Sequence, residues 1–131
     1  MTKYQRMQDE LANTGRAECK AFGQSMKPIL ESGSFLTFEK RPVYHVGDIV
    51  FCKVKGRYID AHKITKIDSQ GRYLISNNHG HDNGWTGQIF GKVVRAELPN
   101  GVTKFFNFRI RSTFLLLFWR VAMVRDASET A

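Results

Sequence analysis

The sequence predicts a mainly β domain, built as a barrel or coiled sheet, with a short N-terminal helix and an apolar C-terminal segment. Three observations carry this. Short runs rich in β-branched and aromatic residues recur from Phe35 onward. Turns bearing Gly, Asp and Asn separate them at close intervals. No helical pattern alternates with the runs, as a parallel α/β architecture would need. The chain of 131 residues is one domain's worth, because two halves would each hold too small a core.

The elements follow in order. Met7 and Leu11 share one face at helical spacing, which predicts a weak amphipathic helix ending near Gly15. Residues 1–20 are thus an arm or helix ahead of a β domain over 21–104. Phe35-Leu36-Thr37-Phe38 is a short strand. Val46-Gly47-Asp48 is a turn, and Ile49–Val54 follows as a strand. Lys55-Gly56 turns the chain into a strand from Tyr58 to Ile67. Asp68-Ser69-Gln70-Gly71 is a hairpin turn, and Tyr73-Leu74-Ile75 pairs back across it. Ser76 to Gly84 reads as a turn-rich loop. Gln88–Val94 is a further strand, closed by the Leu98-Pro99-Asn100-Gly101 turn. Residues 105–131 form an apolar, basic tail. Its Phe114–Trp119 run is apolar throughout, and Arg109, Arg111 and Arg120 do not share one helical face. The tail either packs on the domain or a partner chain, lies at a membrane interface with Arg and Trp at headgroup level, or makes a short strained span.

Composition narrows the function. The chain is 42% hydrophobic and 24% charged, which places it among globular proteins and not disordered ones. Its +8 formal net charge favours anionic surroundings. The basic residues are scattered and no aromatic-basic box accompanies them, so no nucleic-acid partner is expected. An anionic membrane surface, or a partner protein, met through residues 105–124 suits the charge better. Cys19 and Cys52 lack CxxC spacing, which excludes a disulfide framework and a Cys-rich zinc site. His79-Gly80-His81 has no third ligand at suitable spacing, so no metal and no cofactor is expected. The mostly polar start is no secretory signal, and no apolar run reaches spanning length. A cytoplasmic or membrane-peripheral location fits two unpaired cysteines.

The chemistry-bearing stretch is Gly23-Gln24-Ser25-Met26-Lys27-Pro28. A serine is a weak nucleophile until a neighbouring base takes its proton. Gly23 lets a substrate backbone come close, Pro28 stiffens the turn, and backbone N–H groups there can hold an oxyanion. By itself the hexapeptide also fits an ordinary surface turn. Asp48 reads as a structural turn cap and Cys52 as a small buried apolar residue.

Further segments extend the pattern: Val46-Gly47-Asp48-Ile49-Val50, Ala61-His62-Lys63-Ile64, Ser76-Asn77-Asn78 to Asp82, and Phe90-Gly91-Lys92-Val93-Val94. Their order from Gly23 to Val94 resembles the signal peptidase and LexA-like serine peptidase clan. Within it, His62-Lys63-Ile64 looks like the archaeal and endoplasmic-reticulum type, which uses His where bacterial members use Lys. Strand alternation puts His62 and Lys63 on opposite faces, so both reach Ser25 only if a bulge intervenes. Imidazole is also the more usable base at neutral pH.

The resemblance implies a serine endopeptidase with Ser25 as nucleophile, His62 as base and Asp82 as the acid orienting His62. Gly23, Gln24, Met26 and Pro28 would border a peptide or protein substrate bound as an added strand. Read from the residues alone, His62 also fits a strand surface and Asp82 a solvated loop. Two departures stand out: Ser76 where the clan's box has Asp, and His81 where it has the first acid of a pair. They motivate an alternative, an inactive peptidase-fold binding or assembly protein that uses the apolar tail. A LexA-like self-cleaving regulator fits poorly, since no Ala-Gly or Cys-Gly pair lies ahead of Ser25.

Overall fold

A computed structural model of the chain describes residues 2–106. It is mainly antiparallel β with one N-terminal helix, as the sequence predicts. The helix α1 spans Lys3–Thr14. Thr2 opens it with a capping box: its hydroxyl accepts from the Gln5 N–H, and the Gln5 side chain accepts from the Thr2 N–H, both at 3.1 Å. The Gly15 N–H closes it on the Leu11 carbonyl at 3.0 Å. Twelve residues make a marginal helix in water. Burial of Met7 and Leu11 contributes about 3–6 kcal/mol in total, which is enough to dock it. The helix is therefore part of the core and not a loose arm.

Among the described residues eight strands follow: β1 (Arg16–Ala21), β2 (Ser34–Glu39), β3 (Ile49–Val54), β4 (Arg57–Ile67), β5 (Tyr73–Ser76), β6 (Asp82–Thr86), β7 (Gln88–Glu97) and β8 (Thr103–Phe105). They form one sheet in the order β1-β2-β7-β3-β4-β5-β6, with β8 beside β7. The sheet curls so that β6 returns against β3, where the Thr86 hydroxyl donates to the Lys53 carbonyl at 2.6 Å.

Central β3 has no polar alternation before Lys53, the mark of a strand covered on both faces. Its side chains divide by parity between two cores. Ile49 and Phe51 join Met7, Leu11, Leu36, Phe38 and Val93 under α1. Val50, Cys52 and Val54 join Tyr44, Ile64 and Ile75 on the other face. Gly91 on β7 permits the helix to seat. A Cβ there would lie 2.9 Å from the Leu11 side chain and 3.2 Å from the Glu39 carbonyl.

Two sequence expectations change. The segment before residue 21 contains β1, which pairs with β2 over its whole length. Its alternating exposed and buried pattern was hidden because the inward positions are Ala17 and Cys19, small residues with weak strand signal. The turn-rich loop from Ser76 ends early: β6 begins at Asp82 and pairs with β5 across a bulge. The expected tail segment lies almost wholly outside the described residues. Of it, Phe105 is exposed and Phe106 is buried. Among the described residues no helix is long and apolar enough to cross a membrane.

Candidate active site

The loop between β1 and β2 carries the hexapeptide. Gly23 has φ 123°, a conformation that favours glycine, and its N–H donates to the Ser32 hydroxyl at 3.1 Å. Chain reversal then brings Ser25 over β4. Three hydrogen bonds from the β5–β6 segment hold the turn in place. The Asn78 N–H donates to the Ser25 carbonyl at 2.8 Å. The Asn78 side-chain amide donates to the Lys27 carbonyl at 2.8 Å. His79 Nε2 lies 2.9 Å from the Gln24 carbonyl, so this His holds the turn from across the cleft.

Ser25 Oγ lies 2.9 Å from His62 Nε2. His62 Nδ1 lies 2.6 Å from Asn83 Oδ1. A carbonyl oxygen only accepts, so the proton of the neutral ring sits on Nδ1. Nε2 is then left as the acceptor for the Ser25 hydroxyl. All three side chains are half-buried.

Asp82 does not occupy the place expected for it. Its Oδ1 accepts from the Ser76 hydroxyl at 2.6 Å. Ser76, buried, also meets the Thr65 hydroxyl at 3.0 Å. The reason is a bulge. Asp82 pairs with Ser76 and Gly84 with Ile75, which leaves Asn83 as the extra residue of β6, and its side chain meets His62. Reading Ser76–Gly84 as loop concealed that bulge. The signal that could have found Asn83 is strand pairing between Tyr73–Ser76 and the segment leading into Trp85.

His62 and Lys63 diverge as expected. They pair consecutively with Val50 and Ile49, so no bulge falls between them. Lys63 instead donates to Asn78 Oδ1 at 3.1 Å, beneath the Ser25 turn.

A cavity of about 30 Å³ opens beside Ser25. That is room for roughly two water molecules or one small side chain. Ala21, Phe22, Gly23, Met26, Asp60 and Ala61 border it. Met26 is both core and cavity wall, being 4% exposed. Gln24 and Pro28 are exposed and stay outside the lining.

Asp48 lies away from this cavity. It is buried, accepts from the His45 N–H at 2.8 Å and pairs with Lys92 Nζ at 3.0 Å. Cys52 is fully buried. Desolvation, with a smaller push from the Asp60 charge, raises its thiol from 9.0 to about 12, which leaves it an inert apolar group.

A half-buried hydroxyl joined to an imidazole, with a third side chain fixing the ring, is the constellation of serine hydrolases. Residues 6–94 match the Peptidase S24-like family, and the chain belongs to it. No curated protein matches the sequence.

Proposed function

We propose that this domain is a serine endopeptidase of the signal-peptidase-like type, with Ser25 as nucleophile and His62 as general base. The observation that carries the reading is the 2.9 Å contact between Ser25 Oγ and His62 Nε2. Ser25 Oγ attacks the scissile carbonyl carbon while its proton passes to Nε2. The Ser25 N–H donates to the resulting oxyanion. The imidazolium then protonates the leaving amine, the C–N bond breaks, and an acyl-enzyme remains. Water, deprotonated by His62, attacks the ester and restores the Ser25 hydroxyl. Asn83 holds the ring in the productive tautomer throughout.

Open strand edges support a substrate bound as an added strand. β1 ends the strand order of the sheet, and the β5 partnership of β4 begins only at Lys63. The stretch of β4 leading to His62 therefore keeps one edge outside the β4–β5 ladder, facing the cavity beside Ser25.

Labelling by a fluorophosphonate probe tests the assignment. The parent chain is expected to label at Ser25, Ser25→Ala and His62→Ala to lose labelling, and Lys63→Ala to retain it. Labelling of Ser25→Ala at the parent rate, or dependence on Lys63 in place of His62, overturns it. One observation favours a second reading, a peptidase-fold binding or assembly protein. The partner of His62 is a neutral amide, which stabilises an imidazolium less than a carboxylate does. Absence of labelling at every pH, in a folded chain, selects that reading.

A further inference from the structure

We propose that Asp60 is a specificity-determining residue that selects substrates with Lys or Arg on the acyl side of the scissile bond. The proposal rests on the peptidase reading of Ser25 and His62. Four observations lead to it.

The first is position. Asp60 precedes His62 by two residues on β4 and lines the cavity that also contains Ser25. A side chain next to the attacked carbonyl has this cavity as its nearest recess. The second is that the carboxylate has no ion-pair partner. Among the described residues no ion pair forms at Asp60 or at Glu31, the second acid bordering the cavity. The cations of α1 make their close contacts with other groups: Lys3 Nζ donates to the Lys20 carbonyl at 2.9 Å, and Arg6 pairs with Glu10.

The third is reach. After desolvation, the Asp60 charge pushes the Tyr4 hydroxyl and the Cys52 thiol toward their protonated forms, while at Cys19 the Lys3 charge opposes it. The fourth is shape. The cavity is too small to swallow a long side chain, but its rim is amphipathic. Phe22 is 69% exposed at the lip, and Leu30 and Met26 lie below. An aliphatic stem can lie along that surface with its cationic head at Asp60 and Glu31. An Ala side chain fits the recess with no charge gain, and a Glu side chain meets two like charges.

The chain as a whole carries +8, so long-range attraction does not draw a basic substrate. The selection is local, and it weakens with salt.

Three peptidyl diphenyl phosphonates, identical except for Lys, Ala or Glu beside the phosphorus, test the proposal on the full chain. The rate of Ser25 phosphonylation is read by intact mass. The Lys probe is expected to react about 5- to 10-fold faster than the Glu probe. Asp60→Asn should bring the Lys and Glu probes within about 2-fold of each other. A binding arm needs no chemistry: Ser25→Ala is titrated with the matching Lys and Glu peptide amides, with and without Asp60→Asn. If no probe labels Ser25, the peptidase reading falls, and the binding arm still decides the role of Asp60. A Lys-over-Glu ratio that Asp60→Asn does not change, or no preference in either arm, overturns the proposal.

Discussion

Two of the polar linkages among the described residues are built oppositely. Ser25, His62 and Asn83 come from a loop, the middle of a strand and the start of another, and they sit half-buried beside an open cavity. Asp48 and Lys92 come from a turn and a central strand, and they are 6% and 9% exposed. In the peptidase reading proposed above, the first linkage aligns a hydroxyl and an imidazole for proton transfer. The second locks a charge pair away from water. Both hang on the same frame, since Val50 pairs with His62 on one side and with Lys92 on the other. The comparison teaches that access to solvent separates a chemical linkage from a structural one. Closeness of contact does not, since Ser25 to His62 is 2.9 Å and Asp48 to Lys92 is 3.0 Å.

Breaking each linkage should therefore fail in a different way. Ser25→Ala should lower peptidase or probe turnover by at least about 10⁴-fold, because no other group supplies the attacking oxygen. Its melting temperature should stay near that of the parent, as scanning calorimetry can check. A comparable fall in stability would make Ser25 a structural residue and erase the contrast.

Asp48→Ala should act the other way. It strands the Lys92 ammonium in a buried site, at a cost of about 3–5 kcal/mol measurable by urea unfolding. Labelling of the fraction that remains folded should be little changed. Selective loss of labelling in a stable Asp48→Ala variant would merge the two linkages into one.

Asn83 lies between these extremes. Asn83→Ala frees the His62 ring and should slow labelling about 10- to 100-fold with a small stability change. Asn83→Asp keeps an acceptor at Nδ1 and should recover most of the rate. If both variants lose activity equally, the acceptor role assigned to Asn83 is wrong.

The smallest effect concerns Cys52, and its sign follows from linkage. The folded thiol stays protonated up to about 12, whereas the unfolded thiol ionises near 9.0. The folded state holds more protons between those values, so stability is fully present below pH 9 and declines as pH rises toward 12. Thermal melts over that window should show the decline, and Cys52→Ala should flatten it. An equally steep slope in the variant assigns it to other groups.

Much of the frame was legible in the chain. Ile49–Val54 announces itself as a strand because burial on two faces demands β-branched and aromatic residues, and Tyr58–Ile67, mostly half-buried, by its own β-branched and aromatic content. Gly15 and the Asp68–Gly71 turn mark boundaries by local backbone chemistry, which needs no distant partner. β1 was hidden for the converse reason: Ala17 and Cys19 become inward positions only when β2 lies beside them. Asn83 was hidden more deeply. It is the extra residue of the β5–β6 bulge, and only the pairing of the two strands decides that this amide and not the Asp82 carboxylate meets His62.

The sequence by itself determined the mainly β class, the helix that opens the domain, and the serine and histidine worth examining. Each of these depends on local periodicity or on a contiguous motif. Tertiary structure alone decided that Asn83 and not Asp82 meets His62, that Asn78 and His79 clamp the Ser25 turn, and that Asp60 borders the cavity. Those are contacts between segments far apart in the chain, and sheet curvature, bulges and register set them together.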